Sequence, residues 1–78
     1  MNYAKINIKY LVQINGSRSN FSKITKVNIN TIKKILDNEK TKPSLETLIK
    51  IHNTLGISID DLVFKNLEEI NNSNKESN

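Results

Sequence analysis

The 78 residues include no cysteine, no tryptophan, one proline, two glycines and one histidine. Without cysteine neither disulfides nor thiolate metal sites are available, and a reducing compartment suits the chain. Gly16 and Gly56 stand alone, so there is no glycine-rich loop to cradle a nucleotide phosphate. His52 has no neighbouring ligand set, so no metal and no other cofactor is expected. Asp60 and Asp61 are adjacent acids, but a helix start gives them a sufficient electrostatic reason. An enzyme is not expected. Apolar runs last only a few residues, too short to span a membrane. Lys5 and Lys9 break any signal-peptide core near the first residue, so a cytoplasmic protein is expected.

What is present is lysine, asparagine and isoleucine. Thirteen Asn, twelve Ile and eleven Lys suggest an AT-rich coding genome, bacterial or phage. A chain of this length makes one domain around one small core. Net charge is +4, unevenly spread. Residues 1–42 hold nine cations against two carboxylates, a net +7, and residues 43–78 hold three against six, a net −3. The basic half has the sign that attraction to phosphates requires.

That half contains Ser17–Leu36, SRSNFSKITKVNINTIKKIL, which reads as two short helices joined by a tight turn. Phe21, Ile24 and Thr25 fall at helical spacing, and Ile32 and Ile35 continue the stripe beyond the break. Asn28 sits where a cap is needed, able to accept from the next turn's orphan N–H groups. After it come Ile29, Asn30, Thr31, Lys33 and Lys34, a set rich in amides, hydroxyls and cations. Such groups read base edges and bind phosphates. Ser22 is small enough to let the two helices approach, with Val27 and Ile32 filling the gap.

Five helices are expected. The first covers about Tyr3 to Ile14, with Ile6, Tyr10, Leu11 and Ile14 inward, and ends at Asn15-Gly16. Ser17 caps the second through about Thr25, and Asn28 caps the third through about Leu36. A polar loop from Asp37 to Lys42 closes at Pro43, where Lys40, Thr41 and Lys42 are candidate phosphate contacts. Ser44 caps a fourth helix ending at Leu55, with Leu45, Leu48, Ile49 and Leu55 inward and Gly56 as the stop. Ser58 and Asp61 suggest a capping box for the fifth. Leu62, Phe64, Leu67 and Ile70 on that helix exceed the needs of one small core, and are read as a dimer or partner surface. Residues 1–70 form the domain, and residues 71–78 are expected to be a flexible polar tail.

Lys26–Val63, KVNINTIKKILDNEKTKPSLETLIKIHNTLGISIDDLV, resembles the lambda-repressor-like helix–turn–helix family of DNA-binding regulators, of the Cro/repressor or xenobiotic-response-element type. VNINTIKKI and PSLETLIKIHNTLGISIDDL carry the resemblance, which extends over roughly residues 5–64. The second stretch is the more specific, fixing a proline, two caps, a glycine and the apolar spacing together. The resemblance implies a compact all-α, five-helix domain whose third helix enters the major groove of double-stranded DNA. It places Ile29, Asn30 and Lys34 toward base edges and Thr31 and Lys33 at flanking positions that reach bases or phosphates, and Asn28 and Arg18 are candidate phosphate contacts. Arg18 falls at the start of the second helix, where the family often places a glutamine that touches a phosphate.

The pattern is broken in places. Lys26 stands where the family often has glycine, so positive φ there would carry a cost. Asn38 replaces a frequent glycine and would tolerate the left-handed region. Asp37 and Glu39 near the DNA side would weaken phosphate attraction, and Leu36 would mark a partner surface if exposed. The expected function is a sequence-specific repressor acting as a homodimer. The alternative is a protein-interaction module on the same fold, an antitoxin or antirepressor, with another protein as main partner.

Overall fold

Ser17, Asn28, Ser44 and Ser58 each accept a backbone N–H from the turn that follows, at 2.8–3.2 Å. These short side chains satisfy donors that a helix start otherwise leaves unpaired. The computed structural model describes residues 2–76, with side chains through residue 72. It contains α1 (Ala4–Ile14), α2 (Arg18–Thr25), α3 (Ile29–Asp37), α4 (Leu45–Leu55), α5 (Ile59–Phe64) and α6 (Leu67–Glu76). No strand occurs among the described residues. Gly56 stops α4 at φ +72°, a conformation that costs glycine nothing and other residues some strain. At Ser58 the Oγ accepts from Asp61, whose own carboxylate pairs with Lys65 at 3.1 Å.

One core is shared by five of the helices. Ile8 and Leu11 of α1 meet Phe21 of α2, Ile32 and Ile35 of α3, Ile51 of α4 and Leu62 of α5, all buried. Each such side chain contributes roughly 1.5–3 kcal/mol by leaving water. Tyr10, Leu36, Leu55, Val63 and Leu67 pack around this centre, half-buried. Leu36 is thus held by the core and marks no exposed partner surface.

The inner face of α1 differs from the expected one. Ala4, Asn7, Ile8, Leu11 and Val12 are buried, while Ile6 and Ile14 are exposed. The cause is Asn7, a polar residue in the middle of the inner stripe. Its amide donates to the carbonyls of Leu62 and Lys65, both at 2.7 Å, and its oxygen accepts from Leu67 N–H at 3.0 Å. A buried amide so fully paired carries no desolvation penalty to exclude it. Leu45 and Ile49 of α4 and Ile24 of α2 also lie outside the core, and Thr47, Leu48 and Ile51 form the buried face of α4.

The same asparagine explains why six helices replace five. Asn7 takes up the chain's carbonyls at Leu62 and Lys65, where the expected fifth helix breaks. Asn66 then starts α6, its side chain accepting from Glu69 N–H at 3.2 Å. Asn71 donates to the Tyr10 hydroxyl at 2.8 Å, tying α6 to α1. The helix continues through Glu76, across most of the stretch expected to be a tail, and residues 77 and 78 lie outside the described residues. No described helix is long and apolar enough to cross a membrane.

Candidate nucleic-acid interface

The turn between α2 and α3 is fixed by its own side chains. Ser22 donates from its hydroxyl to the Val27 carbonyl at 2.6 Å, tying α2 to the turn that follows it. Thr25 donates to the Phe21 carbonyl at 2.7 Å and accepts from Val27 N–H at 3.3 Å. Ser22 therefore anchors the turn as well as being a small spacer. Lys26 adopts φ +65°, the left-handed conformation expected at this point, and its N–H closes α2 on the Ser22 carbonyl. Val27 is buried behind it.

Ile32 and Ile35 are buried completely and so fix the rotation of α3 about its axis. With 3.6 residues per turn, Asn30, Lys33, Lys34 and Asp37 share the opposite face, and all four are exposed. Ile29 and Thr31 are half-buried at its flanks. Asn28 is exposed, its side-chain oxygen occupied by the N–H of Asn30 at 2.8 Å. Asn30 and Lys34 offer the donors and acceptor suited to base edges, and Lys33 a cation beside them.

Arg18 and Asp37 meet. The guanidinium Nη1 and Nη2 donate to Oδ2 and Oδ1 of Asp37 at 2.9 and 2.7 Å, a two-pronged ion pair between the first residue of α2 and the last of α3. The hydrogen bonds from Arg18 hold the Asp37 carboxyl below the usual carboxylate range, assisted by the positive charges of Arg18 and Lys33. Arg18 is raised in turn, chiefly by the same hydrogen bonds. Arg18, a candidate phosphate contact, is engaged here by the Asp37 carboxylate. The pairing left one signal in the sequence: each residue occupies the helix end whose dipole disfavours its charge.

The loop after α3 carries Lys40 and Lys42 exposed and Thr41 half-buried. Asn38 is extended, at φ −114°, rather than left-handed. Its side-chain oxygen accepts from Lys40 N–H at 3.0 Å, and its carbonyl accepts from Thr41 N–H at 3.1 Å and Lys5 Nζ at 2.6 Å. These bonds turn the chain without positive φ. Lys5, Lys42, Glu39, Asn2 and Pro43 line a surface cleft beside the loop.

The surface read as a partner or dimer contact divides in two. Phe64 is 70% exposed and Ile70 is 42% exposed. Leu62 is 0% exposed and belongs to the core, and Leu67 is half-buried against it. Helical spacing alone gives Leu62 no reason to face inward, because α5 is too short for a stripe to be read. His52 is exposed, with its Nδ1 2.9 Å from the Ile57 carbonyl across the α4–α5 turn. Among the described residues no three His, Asp or Glu side chains cluster as a metal site would require.

A family model described as helix-turn-helix matches residues 8–62, well over half of the chain. The chain belongs to that family. Its type is the lambda-repressor-like, Cro/C1 helix–turn–helix, a family of DNA-binding transcriptional regulators. The matched span includes α2, the turn and α3 entire, and ends before α6. Neither the curated proteins nor the solved structures compared with the chain gave a match.

Proposed function

We propose that the protein is a sequence-specific repressor that binds a short pseudo-palindromic operator as a homodimer and works without catalysis. The observation that carries this reading is the outer face of α3, where Asn30, Lys33 and Lys34 stand exposed over a helix locked by Ile32 and Ile35. Asn30 suits adenine N6/N7, Lys34 suits guanine O6/N7, and Ile29 offers apolar contact to a thymine methyl, with Thr31 at the edge. Phosphates fall to Asn28, Lys33, Lys40, Thr41, Lys42 and Arg18. One such helix reads only a few base pairs, so two copies would place half-sites roughly 34 Å apart. Occupancy of the operator is the simplest mode of repression. Action in the cytoplasm follows from a DNA target.

Selection of bound duplexes from a random pool, at about physiological salt, tests this. A pseudo-palindrome preferred over scrambled DNA by about a thousandfold supports the reading. No enrichment, with binding that vanishes as salt rises, overturns it. The exposed Phe64 favours one rival, a module whose main partner is another protein. That reading gains if replacing Asn30 and Lys34 by alanine leaves the activity intact while Phe64→Ser abolishes it.

A further inference from the structure

Asp37 is the single acid in α3, and it shares the outer face with Asn30, Lys33 and Lys34. A carboxylate there opposes phosphate attraction, and its position at the helix C-terminus gains nothing from the dipole. Arg18 is equally misplaced for its own helix, a cation in the first turn of α2. Local helix stability therefore explains neither residue. Their mutual contact does, and it consumes a defined part of the guanidinium. Both Nη atoms point at Asp37, the same fork that a phosphate would take two-pronged. Both side chains remain substantially exposed, 40% for Arg18 and 60% for Asp37, so water screens the pair and a competing anion has access to it.

We propose that Asp37 is a specificity-determining residue that occupies the phosphate-binding fork of Arg18 until a matched DNA site displaces it. The inference rests on the DNA-binding reading above. On a mismatched duplex α3 makes no base contacts, and Arg18 stays neutralised by Asp37. Non-specific binding is then one phosphate contact short. On a matched site the base contacts of Asn30 and Lys34 seat α3, and the guanidinium passes from carboxylate to phosphate. Discrimination comes from weakening the wrong complex rather than strengthening the right one.

The experiment is a salt titration of binding to a mixed-sequence duplex, for the full chain, Asp37→Asn, Arg18→Ala and the double variant. Asparagine keeps the shape of Asp37 at an exposed position, and a thermal melt confirms that each variant is folded. Asp37→Asn is expected to bind several-fold tighter at low salt. Its slope of log affinity against log salt should steepen by about 0.9, the value of one added phosphate. The gain should largely vanish in the Arg18→Ala background. Against the selected operator the gain should be smaller, so the ratio of operator to mixed-sequence affinity falls. An unchanged slope, weaker binding, or an equal gain without Arg18 overturns the proposal while leaving DNA recognition intact. If the unaltered chain binds no duplex at all, the DNA-binding reading falls first and this inference with it.

Discussion

Asn7 on α1 accepts the N–H of Leu67, sixty positions along the chain, at 3.0 Å. The same amide donates to the carbonyls of Leu62 and Lys65, so one side chain joins α1 to both sides of the α5–α6 break. Among the described residues no buried side-chain nitrogen or oxygen lacks a partner, and Asn7 is a large part of the reason. Asn7→Leu should therefore destabilise, despite being apolar and of similar volume. A buried partner left unpaired costs about 1–3 kcal/mol, so with some rehydration the loss should be about 3 kcal/mol. That is a large fraction of the roughly 5–15 kcal/mol typical of a domain. Urea denaturation reads it directly, and a stability equal to the parent's would contradict the staple.

Lys26 is the one non-glycine residue with positive φ among the described residues. A side chain there crowds the following carbonyl, at roughly 1–2 kcal/mol. Lys26→Gly removes the strain but adds freedom to the unfolded chain, which returns part of the gain. A net stabilisation of about 0.5–1 kcal/mol is expected from these opposing effects. For a domain of this size, 1 kcal/mol moves the thermal midpoint by about 4–8 °C. A lowered midpoint would mean that Lys26 contributes a contact worth more than its strain.

The three exposed polar residues of α3 should separate by role. Asn30→Ala and Lys34→Ala, at positions assigned to base edges, should each cost about 1–3 kcal/mol on the operator and little on scrambled DNA. Lys33→Ala, assigned to phosphate, should weaken both duplexes alike and flatten the salt slope by about one. Equal losses on both duplexes for all three variants would make α3 a general electrostatic surface.

The caps, the turn and the two-helix unit were legible in the sequence because their chemistry is local. Ser17, Asn28, Ser44 and Ser58 each act on an N–H two or three residues away, and Gly56 acts on its own φ. Asn7 was not legible. Its partners lie 55–60 positions distant, and a polar residue in an apolar stripe reads as surface until those partners are known. The misplaced face of α1, with Ile6 and Ile14 taken as inward, and the unforeseen sixth helix share that one cause. Arg18 and Asp37 were each noticed, but their meeting depends on how α2 and α3 cross, which spacing does not encode. Leu62 and Phe64, two residues apart on a short helix, could only be assigned to core and surface by the fold.

That assignment gives a direct test of the proposed dimer. Phe64 is mostly exposed and Leu62 wholly buried, so replacing them should fail in different ways. Phe64→Ser paired with Ile70→Ser should leave the melting temperature nearly unchanged and shift sedimentation from dimer to monomer. Leu62→Ala should cost about 2–5 kcal/mol of stability, as core truncations of leucine do. A dimer that survives the double replacement would move its interface off α5 and α6.

The Arg18–Asp37 pair should also leave a signature in the pH dependence of stability. The folded carboxyl titrates below the usual range because the guanidinium donates to its charged form. A group depressed in the folded state stabilises above its unfolded pKa, about 3.9 for aspartate, and loses that contribution as pH falls through its folded value. The stability difference between the parent and Asp37→Asn should therefore be constant from neutral pH down to the ordinary aspartate range. Below that it should shrink toward zero as the carboxyl protonates. Because both groups are exposed, the difference should be small and should also shrink in high salt. Raising pH from neutral should leave it unchanged, since Arg18 stays protonated there. A difference that grew on acidification would have the wrong sign for this pair and would place its origin in another carboxylate.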